Sequence, residues 1–181
     1  LTTKTLPDYI NHDLNILSIG LNPSTISVER GFYFANPRNR FWKALNASGL
    51  MEEQMVPSKQ TQEILFANYK IGFTDVVKRH SSMGKDLRAA DYKRWVPELK
   101  IKILQYQPKI CWFHGKVAIH NYLKYAENKK IAVEWGKQPF QIDSSVVYVT
   151  PNPSPANAAY SLMQLINWYQ KLRMLDCEIR D

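Results

Sequence analysis

The amino-acid sequence predicts an α/β fold: a single domain whose central, mostly parallel sheet is flanked by helices on both faces. Strand-like and helix-like hydrophobic patterns alternate along the chain. The strand candidates are continuous apolar runs, as expected of strands covered on both faces. The 181 residues contain no internal repeat or low-complexity stretch, so one domain over 1–181 is expected, with its core over about 14–172.

Leu14 to Ile19, ending at Gly20, reads as a buried strand. A polar-aromatic loop follows. Pro37 is then expected in the first turn of a helix that carries Phe41, Trp42 and Leu45 on one face as far as Gly49. Residues 61–69 read as a further helix, and Gly72 to Val77 as a short extended segment. Pro97 is expected to open a helix through Leu99 and Ile103 that ends before Pro108. Ile110 to Phe113 is a second buried strand, and Gly115 begins a helix with Val117, Ala118 and Tyr122. Phe140 to Ile142 and Val146 to Val149 are strands about a turn at Asp143-Ser144-Ser145. A last helix over roughly 159–175 has its apolar face at Leu162, Leu165, Ile166, Tyr169 and Leu172. In such a fold functional residues belong on loops just after strand ends.

Composition narrows the chemistry. Lys plus Arg number 24 against 16 Asp plus Glu, a formal charge of +8, which favours a polyanionic partner, nucleic acid or anionic membrane. The two cysteines, Cys111 and Cys177, form no CxxC, which excludes a disulfide scaffold, a zinc ribbon and a four-cysteine iron–sulfur cluster. The four histidines show no HExxH or HxxxH spacing, so no metal is expected. No apolar run has the length of a membrane span and no secretory core is recognisable at the N-terminus, so no membrane is expected as partner. The expected setting is reducing and intracellular: cytoplasm or nucleoid in a bacterium, nucleus in a eukaryote.

Two unusual stretches follow strands. One is Gly20-Leu21-Asn22-Pro23-Ser24 with Gly31-Phe32-Tyr33-Phe34-Ala35-Asn36-Pro37-Arg38-Asn39-Arg40-Phe41-Trp42; the other is Thr150-Pro151-Asn152-Pro153-Ser154-Pro155-Ala156-Asn157. Proline stiffens both, and a stiff loop at a strand end holds an amide or hydroxyl in a defined place. Either stretch alone is equally well a proline-rich turn with no task.

Taken in order, these stretches resemble the mismatch-specific uracil/thymine DNA glycosylase family of the uracil-DNA glycosylase superfamily. Gly72-Phe73-Thr74, Lys85-Asp86-Leu87, Tyr106-Gln107-Pro108, Gly115-Lys116 and Trp135-Gly136-Lys137-Gln138 continue the likeness, which covers about residues 14 to 172. The resemblance implies a uracil-DNA glycosylase-like fold and hydrolysis of the N-glycosidic bond of a flipped uracil or related base. The product is an abasic site that initiates base excision repair. It implies a monofunctional, expected monomeric enzyme acting on DNA, most readily on uracil opposite guanine, without metal or cofactor.

By the same likeness Phe34 is the platform on which the flipped base stacks, with Leu21 and Tyr33 as its companions in base binding; a core role for Phe34 is the alternative. Asn22 matches the residue that positions the attacking water. An amide holds water but cannot take its proton, so an Asn-only site should be slow. Asp75 falls where family members vary, and a carboxylate there can deprotonate water and stabilise a positively charged sugar. It is otherwise a cap or a partner for Lys78 or Arg79. Asn152, Ser154, Pro155, Ala156 and Asn157 correspond to the loop that enters the duplex. Ala156 stands where a bulky wedge is usual, so weaker duplex penetration is expected. Ser24 and Lys116 are expected to hold phosphate, Lys116 at a helix N-terminus; Lys85, Arg38 and Arg40 are further candidates.

Two other functions fit parts of the sequence. A catalytically weak DNA-binding module that keeps the base pocket fits the charge and the loops. A nucleotide-handling enzyme fits the sheet but not the charge. The choice among uracil, thymine, hypoxanthine and ethenocytosine stays open.

Overall fold

The computed structural model describes residues 4–181. Five strands form one sheet in the order β2-β1-β3-β5-β4. They are β1 (Ile16–Gly20), β2 (Ile71–Asp75), β3 (Ile110–His114), β4 (Gly136–Ile142) and β5 (Ser145–Thr150). β1 pairs in parallel with β2 and β3, and β3 with β5, while β4 runs antiparallel to β5 at the edge. Every residue of β1, β2 and β3 is buried, in keeping with their continuous apolar runs. The edge strand β4 instead alternates in exposure along most of its length.

Among the described residues six α-helices cover the sheet: α1 (Thr25–Arg30), α2 (Phe41–Ser48), α3 (Lys59–Asn68), α4 (Ala89–Tyr106), α5 (Lys116–Ala126) and α6 (Leu162–Arg180). On one face Trp42, Leu45, Leu65, Leu165 and Tyr169 of α2, α3 and α6 pack with Phe73 and Trp112. On the other, Val96, Leu99 and Ile103 of α4 and Ile119 and Tyr122 of α5 pack with Ile19, Phe113 and Val147. Among the described residues no helix is long and apolar enough to cross a membrane.

Several boundaries differ from the sequence expectation; β4, for one, begins at Gly136 and not at Phe140. α1 lies inside the stretch read as loop, a single short helix with Ser24 as its cap and Gly31, at φ 79°, closing it. Pro37 precedes α2, which begins at Phe41, where the Phe41 N–H donates to Asn39 Oδ1 at 2.9 Å. Pro97 lies within α4 and does not open it. The missing Pro97 N–H would have bonded the carbonyl of Lys93, and both residues are exposed, so water can take that carbonyl. The buried face Tyr92, Val96, Leu99 and Ile103 runs unbroken through the proline. α6 starts at Leu162 behind a reciprocal Ser161–Gln164 cap and runs on to Arg180.

Candidate active site

The register places Gly20 opposite Asp75 and His114 opposite Thr150, so the carboxyl ends of the parallel strands share one edge. A cleft of about 640 Å³ opens there. It brings together Leu21, Asn22, Ser24, Tyr33, Phe34 and Asp75 with Asn152, Ser154, Pro155 and Ala156 of the loop after β5. Asn157 and Lys116 are not among its lining residues.

Asn22 extends from the end of β1 and ties two loops together. Its Nδ2 donates to the Arg79 carbonyl at 3.0 Å and to Ser81 Oγ at 2.8 Å. A carbonyl partner admits only the NH₂ side of the amide, so Oδ1 is left as the acceptor of this cleft-lining residue. Such a group orients a water molecule but does not deprotonate it.

Asp75, the last residue of β2, is 5% exposed. Its Oδ2 is buried without a hydrogen-bond partner among the described residues, and the Lys78 ammonium stands 3.9 Å away. Burial pushes its carboxyl up to about 7, against the pull of Lys78 and with a further push from Asp8. Glycine at position 20 permits this placement, since a Cβ there would lie 2.5 Å from Asp75 Oδ1. A carboxyl poised near neutrality and facing a cleft has the proton affinity general-base chemistry needs.

Phe34 has φ 56°, a left-handed backbone rare for a bulky residue. One face of its ring stacks on Phe41, with centroids 4.1 Å apart and planes 21° apart. Half-buried and lining the cleft, it offers the remaining ring surface to a planar ligand. Tyr33 is buried and has its polar groups occupied. Its hydroxyl donates to the Pro7 carbonyl at 3.0 Å and accepts from Lys78 Nζ at 3.0 Å.

Sequence reasoning missed His114. It ends β3, is 2% exposed, and touches both Phe34 and Phe41 edge-on. Ser18 Oγ lies 2.8 Å from its Nε2, and Nδ1 is buried without a partner. Desolvation pushes the ring down to about 3, so it is neutral at physiological pH. A neutral imidazole thus lies edge-on to Phe34 in the wall of the cleft. Its place as the last residue of a buried strand, ahead of Gly115, was the signal available. The part of the second rim from Ser81 to Gly84, with the exposed Met83, was also unforeseen; Lys85 beside it was a phosphate candidate.

The remaining expected residues are placed as follows. Ser24 Oγ accepts the Ser27 N–H at 3.1 Å and donates to Ser27 Oγ at 2.9 Å, so its hydroxyl serves the cap of α1. Lys116 begins α5 with its ammonium over the Trp135 ring, 4.7 Å from the centroid. Arg40 donates to the carbonyls of Ser154 at 3.2 Å and Asn157 at 2.8 Å, and also to that of Tyr160. It therefore clamps the loop after β5 and is not free for phosphate. That loop is tightened from within: Asn152 Oδ1 accepts the Ser154 N–H at 2.9 Å and Asn157 Nδ2 donates to the Asn152 carbonyl at 3.0 Å. Pro155 and Ala156 form its exposed tip. Arg38 and Lys85 are exposed cations that line the cleft.

Comparison with known proteins bears on the family and the fold. Residues 7–173 match a family described as the uracil DNA glycosylase superfamily. A solved structure, a "putative Uracil DNA glycosylase from Methanosarcina acetivorans", superposes with a TM-score of 0.61 at 21% sequence identity, over 99% of each chain. At that identity the likeness is one of fold.

Proposed function

The chain belongs to the uracil DNA glycosylase superfamily, and from that premise we propose that it is a monofunctional glycosylase excising uracil or a related base from DNA. The observation that carries the reading is the buried Asp75 carboxyl, without a hydrogen-bond partner, in the same cleft as Asn22 and Phe34. In this reading the target nucleotide leaves the stack, at a cost of a few kcal/mol that is least for a mismatched base. The base stacks on Phe34. Asn22 Oδ1 holds a water at the sugar, and the Asp75 carboxylate takes its proton as the water adds to the anomeric carbon. The same negative charge stabilises the oxocarbenium-like sugar while the C–N bond breaks and its electron pair leaves with the base. Arg38 and Lys85 at the mouth are placed for the DNA backbone.

Uracil opposite guanine is the first substrate to try. The test is incubation with labelled duplexes, each carrying one uracil, thymine, hypoxanthine or ethenocytosine, followed by alkali to cleave abasic sites. Alkali-labile product from at least one duplex is expected. Binding to all of them without product would leave the chain as a DNA-binding module.

A further inference from the structure

The segment ahead of β1 forms part of the wall beside the site. Tyr9 pairs with Phe73 through both backbone groups, its N–H donating at 2.8 Å and its carbonyl accepting at 3.0 Å. That pairing sets Asp8 beside Lys78. Asp8 Oδ1 accepts from Lys78 Nζ and from Thr74 Oγ1, each at 2.7 Å, and its Oδ2 accepts from Lys102 Nζ of α4 at 2.5 Å. Lys78 is itself buried, and its remaining contact is the Tyr33 hydroxyl at 3.0 Å. One ammonium thus stands between two carboxylates. It is bonded to Asp8, which does not line the cleft, and is 3.9 Å from Asp75, which does.

We propose that Asp8 and Lys78 are positioning residues that set the charge of Asp75, Asp8 drawing the Lys78 ammonium away from the carboxyl that faces the cleft. The inference rests on Asp75 acting as the base of excision. A carboxylate bonded directly to Lys78 would be held ionised, with its electron pair engaged and weak as a base. With the ammonium drawn aside, Asp75 keeps a basic oxygen without a partner. The other groups around it do not substitute for this control. β1 contributes the uncharged Gly20, the loop after it Asn22, β3 the neutral His114 and the loop before α2 the Tyr33 hydroxyl; Arg38 and Lys85 stand at the open mouth. The direction of each influence on Asp75 agrees, Lys78 favouring its ionised form and Asp8 opposing it.

The experiment is single-turnover excision across pH with the full chain. The wild-type rate should rise through the titration of Asp75 to a plateau. Asp8→Asn keeps the shape of the side chain and releases Lys78 towards Asp75. It should move the rising limb to lower pH by about one unit and lower the plateau, because a weaker base results. Lys78→Met should move the limb to higher pH by about as much. Lys102→Met, on a more accessible side chain, should move it the same way by less, which keeps the test intact if Lys78→Met does not fold. Limbs that stay in place, or that shift in one direction for both Asp8→Asn and Lys78→Met, overturn the proposal. The function reading fails separately: Asp75→Asn would then retain the wild-type rate and profile.

Discussion

Replacing Asp75 by Asn should make the protein much slower and more stable at once. In the unfolded chain an aspartate ionises near its ordinary value of 3.8, whereas in the fold burial holds Asp75 near 7. Between those values the native state keeps a proton that the unfolded state has lost, so stability falls as pH rises, and above about 7 the loss is complete. Roughly three units at about 1.4 kcal/mol each put the full penalty at about 4 kcal/mol. An Asn amide buried there leaves an NH₂ donor without a partner, at about 1–2 kcal/mol, so about 2–3 kcal/mol of the gain remains for the Asn variant at pH 8. For a chain of this length that corresponds to a rise of about 5–10 °C in Tm. Thermal unfolding of both proteins at pH 5 and pH 8 measures it, and the advantage should widen by about 2 kcal/mol at the higher pH. An advantage that is absent at pH 8, or equal at both, would refute the assignment of a buried ionised carboxylate.

Three further outcomes follow from the same geometry. Phe34→Ala should lower single-turnover excision by about 10- to 100-fold while binding of undamaged duplex changes little, since one stacked base is worth about 1–3 kcal/mol; equal loss for both would deny the platform role. His114 has the opposite linkage to Asp75: its folded value near 3 lies below the ordinary 6.5, so stability should decline as pH falls from about 6.5 towards 3. His114→Gln should flatten that decline in acid-unfolding curves, and an unchanged curve would count against it. Ala156→Leu should improve excision from duplex more than from single strands, measured as a ratio of rates, because it supplies the bulk that the exposed loop tip lacks; a ratio that stays constant would place the probing element elsewhere.

The sheet and most helices were legible because burial leaves a direct trace in apolar runs and faces. Local chemistry misled at prolines. Pro97 looks like a helix start by propensity, yet α4 continues past it because only a solvent-facing carbonyl loses its partner. α1 was hidden because six residues carry too little periodicity to read. Motif order singled out Asn22, Phe34 and Asp75, and one cleft brings them together. It could not single out Asp8, which is set beside Lys78 by the backbone pairing of Tyr9 with Phe73 across more than sixty residues of chain. Nor could it show that Arg40 is consumed by carbonyls or that the Lys116 ammonium lies over Trp135, since side-chain partners are fixed only once the loops have folded.

The most direct measurement is single-turnover release of uracil from a G·U duplex by the wild type, Asp75→Asn, Asn22→Ala and the double variant. If both residues act on one water, each single change slows release, Asp75→Asn by about 10² or more, with duplex binding nearly unchanged. The double variant should then lose less than the product of the two effects. Full-rate release by Asp75→Asn, or strictly multiplicative losses, would contradict the shared-water site at the ends of β1 and β2.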